Sequence, residues 1–303
     1  MGLFRTGWDS QRQAEAVAPK PECLPLFERA ISNYTAAAAV KPNAFPVEFN
    51  WARCLQQLAF INPDAARRRT LARLAYDRFR IAATCDEADW RAYASWGQML
   101  NSQPELFATS PAKTYPVLLE AKEKIEKALE LARYSGEIAM IERDLGLCLI
   151  QLGQVATEPG KRREFYTQAI RKLEAVTAKS PAVANARLYG MWGVAQVQLS
   201  KLENDRMLLR RSIERFQTSL EMDPSNGETR YNLVCAYALL EQPEPALRHL
   251  RLCLANDPNR TFYNAAAADP DLDSLRRTPE FNQLLGSMPT SSSVFDRPQI
   301  SPR

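Results

Sequence analysis

The feature that most constrains this chain is a spacing. In residues 246 to 258 a small residue is followed four later by a large apolar one, three later by a small one, and five later by proline: Ala246, Leu250, Cys253, Pro258. Positions i, i+4 and i+7 share one face of an α-helix, and small side chains there let a neighbouring helix approach closely. The same spacing recurs at Ala30, Tyr34, Ala37, Pro42; at Ala75, Phe79, Ala82; at Ala121, Ile125, Ala128; at Ala169, Leu173, Val176, Pro181; and at Ser212, Phe216, Ser219, Pro224. Internal recurrence of this kind predicts a stack of like units. Partner helices precede five of the six hits, each marked by a large residue and then a smaller one: Trp51-Ala52, Trp96-Gly97, Leu145-Gly146, Trp192-Gly193 and Leu233-Val234. A small residue is wanted where the partner helix crosses, because a larger one would wedge the pair apart.

In residues 227 to 259, GETRYNLVCAYALLEQPEPALRHLRLCLANDPN, both signatures stand in one helical hairpin with a proline-containing break. On these residues the chain resembles the tetratricopeptide (TPR) repeat. The resemblance implies an all-α fold, a right-handed α-solenoid of TPR-like helical hairpins with a C-terminal helical cap. The second-helix anchors are spaced by 45, 46, 48, 43 and 34 residues, and the last alone matches the usual repeat of about 34. The surplus falls between the two helices of a hairpin, in stretches such as SQPELFATSPAKTYP and VATEPGKRREFYTQ, and predicts longer helices or ordered loops along one edge.

The expected organisation is an N-terminal arm (1–22), a solenoid of about five hairpins plus one leading helix (23–259), capping helices (260–285) and a disordered tail (286–303). A solenoid must cover its last hydrophobic face, and FYNAAAADPDLDSLRRTPEFNQLL can make short helices there. The tail, GSMPTSSSVFDRPQISPR, is polar, rich in Pro and Ser, and aperiodic.

Composition removes several function classes. Six cysteines without a CxxC pair and a single histidine, His249, leave no zinc quartet. Any Ser/His or Cys/His mechanism would have to run through His249, which in the helical stretch PALRHLRLCL reads as a helix-surface residue, and with eleven glycines the chain shows no Gly-rich phosphate loop. Enzyme activity is therefore not expected, and neither is a metal, a cofactor or a small-molecule substrate. Without a long apolar run a spanning helix is not expected, nor is a secretory leader, which points to the cytoplasm with peripheral attachment to a membrane or organelle surface kept open.

The resemblance implies a non-enzymatic protein-interaction scaffold or adaptor, or a structural or assembly subunit, holding a partner segment in a groove lined by first helices. The Lys and Asn clamp that TPR proteins use for acidic chaperone tails is missing, since the expected first helices carry no Lys. Each does carry one arginine: Arg53, Arg91, Arg143, Arg187 and Arg230. Guanidinium forks match carboxylates, so these five are candidate groove contacts for an acidic segment.

A second basic feature lies in ARRRTLARLAYDRFR, which carries Arg67, Arg68, Arg69, Arg73, Arg78 and Arg80. Residues 1–85 hold 12 Lys+Arg against 7 Asp+Glu, and the remainder 27 against 28, so the +4 excess is N-terminal. A solvated face, an acidic protein or anionic lipid partner, and nucleic acid are the three readings, the last the weakest for want of a recognised motif. Finally, the opening MGLFRTGWDS has the pattern of an N-myristoylation signal at Gly2. Its alternative is a capping role, with Leu3, Phe4 and Trp8 covering the first helix. Acylation with the basic helix as second signal would make the protein a membrane-tethered transport or import receptor.

Overall fold

The computed structural model describes residues 2–20 and 22–286, with the backbone alone for Pro111. Of the expected tail, 287–303 lie outside the described residues; Gly286 ends a helix. The described residues form fifteen α-helices and no strand, in two compact units divided between Ala184 and Asn185.

The first unit holds four hairpins: α1 (Gly2–Val17) with α2 (Cys23–Val40), α3 (Phe45–Ile61) with α4 (Ala65–Cys85), α5 (Trp90–Ser102) with α6 (Thr114–Leu131), and α7 (Ser135–Val155) with α8 (Pro159–Lys179). The anchors Tyr34, Phe79, Ile125 and Leu173 are all buried. At Gly97 an added methyl would come within 2.6 Å of Ile125, and at Gly146 within 2.7 Å of Leu173, so the small residue sits where the second-helix anchor presses in. Asp64 and Asp89 start α4 and α5 by accepting backbone N–H groups. The surplus length is mostly helix, with α4, α7 and α8 each 21 residues long. Between α5 and α6 it is instead a connection containing two 3-10 turns, at Pro104–Leu106 and Pro111–Lys113.

Most of the expected arm is helix: Gly2–Val17 form α1, the first helix missing from the expected leading second-type helix. Its buried face is Gly7, Ser10, Gln11 and Ala14, small or polar residues that escape a search for apolar periodicity. Gly7 lies against the Tyr34 ring. The Tyr34 hydroxyl donates to Gln11 Oε1 at 2.8 Å, and Gln11 Nε2 donates to Glu15 at 2.9 Å, so these buried polar groups are satisfied.

The second unit holds two hairpins, α9 (Ala186–Glu203) with α10 (Arg206–Met222) and α11 (Gly227–Leu239) with α12 (Pro243–Ala255), followed by α13 (Thr261–Ala268), α14 (Asp273–Arg276) and α15 (Pro279–Gly286). Gly193 meets Phe216 as Gly97 meets Ile125. The last three helices form the cap. Ala266, Leu272, Leu275 and Phe281 bury themselves against Val234, Ala238, Leu250 and Leu254 of the last hairpin, covering apolar surface that a further repeat would otherwise cover.

Candidate functional site

The first-helix arginines of the first unit are each held by a carboxylate of the chain. Arg53 donates to Glu15 at 3.1 Å, which extends the Tyr34–Gln11–Glu15 chain across three helices. Arg91 grips Asp89 with both Nε and a terminal nitrogen, the Nε contacts at 2.9 and 3.0 Å, and its guanidinium stands over Phe45 and Phe49. Arg143 pairs with Asp144 at 2.8 Å. Beside Arg91 opens a cavity of about 350 Å³ with Asp86, Trp90, Arg133, Tyr134 and Glu137 among its walls. In the second unit Arg187 is exposed, and Arg230 donates to the Pro224 carbonyl.

The arginines of α4 divide similarly. Arg67 pairs with Glu28 of α2, and Arg80 with Asp77 at 3.4 Å. Arg78 donates to Glu48 at 3.2 Å, and Glu48 is buried, its side chain 3% exposed. The Arg78 guanidinium also lies 3.9 Å from the centre of the Trp51 ring. Arg68 is half-buried, and Arg69 and Arg73 face solvent. The six arginines of this basic feature thus divide into three ion pairs, two outward cations and the half-buried Arg68, because Glu28 and Glu48 come from other helices.

Gly2 begins α1, and its carbonyl accepts the Thr6 hydroxyl at 3.0 Å. Phe4 packs on Tyr34, ring centres 5.9 Å apart. Leu3 and Trp8 are partly exposed, with Arg12 over the Trp8 ring. A cavity of about 530 Å³ lies here, lined by Gly2, Leu3, Phe4, Val40 and Val47 among others.

No protein-family model and no curated protein sequence matches the chain. Solved structures do match in fold. PilW, a widely conserved type IV pilus biogenesis factor, superimposes with a TM-score of 0.61 at 12% identity over 86% of this chain and 98% of its own. A chain of the APC/C Cut9–Hcn1 hetero-tetramer gives 0.55 at 16% identity, over 91% of this chain and 45% of that one. YrrB, a TPR protein with an unusual peptide-binding site, gives 0.50 at 20% identity over 77% and 97%. The fold is that of a tetratricopeptide-repeat protein.

Within this TPR fold, three features escaped the sequence reading. One is a recurring cation over the first-helix tryptophan, drawn each time from the residue just before the second-helix anchor: Arg78 over Trp51, Lys124 over Trp96 at 4.7 Å, and Arg215 over Trp192 at 4.1 Å. The position before the anchor is visible in the sequence and could have revealed it. Another is a polar cluster where the TPR cap meets α11: Tyr231 donates to Asp269 at 3.1 Å, Cys235 contacts the same oxygen, and Lys201 pairs with Asp271. Cys235, Asp269 and Asp271 could together approach a metal ion, but the Lys201 ammonium already supplies the opposing charge. The third is the exposed arginine-bearing face of α10 and of α12.

The thiols of the chain are free, and burial pushes Cys54, Cys148, Cys235 and Cys253 up from the ordinary thiol range, which suits packing rather than nucleophilic work. His249 stacks on Tyr237. Burial, then Arg230 and Arg248, hold its pKa below the ordinary histidine value. Among the described residues no helix is long and apolar enough to cross a membrane.

Proposed function

We propose that this chain is a non-enzymatic scaffold or adaptor that holds a segment of a protein partner along its first helices. The observation that carries this reading is the state of Arg53, Arg91 and Arg143. Each is bound to a carboxylate on a partly exposed surface, so an incoming acidic side chain can exchange with Glu15, Asp89 or Asp144 without burying a new charge. Surface pairs of this kind contribute about 0–1 kcal/mol, so exchange is easy and single contacts are weak. The TPR fold supports the same class of task, and YrrB is a TPR protein described by its peptide-binding site. Replacing Arg53, Arg91 and Arg143 together by Ser tests the reading: captured partners, quantified by mass spectrometry against wild type, should be depleted, and an unchanged set would sink it.

A second reading, tethering of a transport or import receptor to a membrane through acylated Gly2, draws on the apolar cavity that Gly2 itself lines. Labelling with a myristate analogue, in wild type and in Gly2→Ala, separates the two. Label absent from the wild type removes the tether.

A further inference from the structure

The second helices of the second unit carry an arginine surface that the chain leaves unpaired. On α10 the buried residues are Leu208, Leu209, Ser212, Phe216 and Ser219, which turns Arg206, Arg210 and Arg211 outward. On α12 the buried residues are Ala246, Leu247, Leu250, Cys253 and Leu254, which turns Arg248 and Arg251 outward. Among the described residues none of these five arginines forms an ion pair. Arg206 donates to the Leu240 carbonyl and Arg210 to the Met207 sulfur, contacts that hold the side chains without neutralising them. The aspartates of the unit are spent elsewhere: Asp205 caps α10, Asp257 accepts from Thr261 and Tyr263, and Asp271 holds Lys201.

Each helix also exposes a large apolar side chain beside its own arginines, Met207 (52% exposed) against Arg210 on α10 and Leu252 (46% exposed) next to Arg248 and Arg251 on α12. The two exposed faces hold no lysine, and their carboxylates are Glu214, Glu221 and Glu244. Arginine and methionine are enriched and lysine is depleted in protein interfaces; the three glutamates run against that pattern and bear on the class of partner. The interspersed glutamates would be repelled by the uniform charge of a polyphosphate or an anionic bilayer. A protein surface can instead place carboxylates against the arginines and an apolar side chain over Met207 or Leu252.

From this we infer that the outer side of α10 and α12 is a second docking surface, for a protein partner presenting carboxylates interleaved with apolar side chains. It is separate from the first-helix arginines of the proposed groove. The probe is a fluorescein-labelled peptide of repeating Glu-Glu-Leu, titrated by anisotropy against the full chain. The variant R210E/R211E/R248E/R251E should bind about tenfold or more weakly, and added salt should weaken the wild type in the same direction. In an R53S/R91S/R143S background, which removes any binding of the acidic peptide at the groove arginines, the same four substitutions should still weaken binding about tenfold, which separates failure of this surface from failure of the groove. Thermal melts check that both variants are folded; if charge reversal unfolds the protein, the four arginines are exchanged for Gln and the same loss is expected. Wild-type protein that does not bind the peptide, a reversal or Gln variant that binds undiminished, or a loss confined to the groove variant would each overturn the inference. So would binding to phosphatidylserine vesicles or poly(U) RNA that the four substitutions abolish while peptide binding stays.

Discussion

The α3/α4 and α9/α10 hairpins use one packing device in two versions. In both, a first-helix tryptophan lies under a cation supplied just before the second-helix anchor, Arg78 over Trp51 and Arg215 over Trp192. In α3/α4 that cation is also bound by the buried carboxylate of Glu48, and the small crossing residue is Ala52. In α9/α10 the crossing residue is Gly193, the rings of Trp192 and Phe216 fill the space, and among the described residues Arg215 forms no ion pair. The comparison teaches that arginine-rich second helices of similar composition can spend their charge in opposite ways. On α4 three of six arginines serve the chain's own carboxylates, whereas α10 keeps its outward cations available.

The comparison can be broken most forcefully at Glu48. Glu48→Ala leaves Arg78 without its carboxylate beside a buried gap, and the loss should be about 3 kcal/mol, the low end for a broken buried pair because Arg78 is itself partly exposed. Urea unfolding of the full chain measures it; a loss no larger than that of an exposed charge would mean the pair does not distinguish the two hairpins. Next in size is Gly193→Ala. The added methyl would lie 2.5 Å from the Phe216 ring, and the strain should outweigh the helix preference for Ala, for a net cost of about 2 kcal/mol. A stabilised Gly193→Ala protein would show that the α9/α10 seam has room to relax.

A smaller effect sharpens the contrast through pH. His249, the single histidine, lies in the second unit, and its folded pKa is lowered by burial and by Arg230 and Arg248. The unfolded chain therefore takes up the proton first as pH falls below about 6.5. The stability tied to the neutral ring is complete above that value and is lost as pH drops through the lowered one. Melting of wild type and His249→Gln across pH 7.5 to 5 should show a steeper fall in the wild type; parallel curves would refute the shift. The smallest change is expected at Arg211, where Arg211→Ala should alter stability by less than about 0.5 kcal/mol, since Arg211 is exposed and among the described residues has no carboxylate partner.

Most of the hairpin framework was legible because it is written in residue size at fixed spacing. Tyr34, Phe79, Ile125, Leu173, Phe216 and Leu250 are buried, as their shared register required. The α1 helix was not legible by that rule, because its seam is Gly7, Ser10, Gln11 and Ala14 and no large residue precedes Gly7. A weaker signal did exist, since Gly7 stands as far before Ala30 as Ala52 does before Ala75. The candidate site was less legible than the fold. Arg67, Arg78 and Arg80 read alike as basic residues on one helix, yet their partners Glu28, Glu48 and Asp77 lie on three different helices. The unpaired α10 and α12 arginines were passed over because the C-terminal part of the chain is close to neutral when charges are only counted.

The sequence by itself determined the helical hairpins, their register and the places where two helices cross, because a helix repeats every 3.6 residues and neighbouring positions on its face are neighbours in the text. The tertiary structure alone decided which cations are neutralised, which stack on tryptophan and which remain facing outward. Those outcomes depend on groups tens of residues apart, brought within a few ångströms by packing, and a Coulomb interaction depends on that distance rather than on position along the chain.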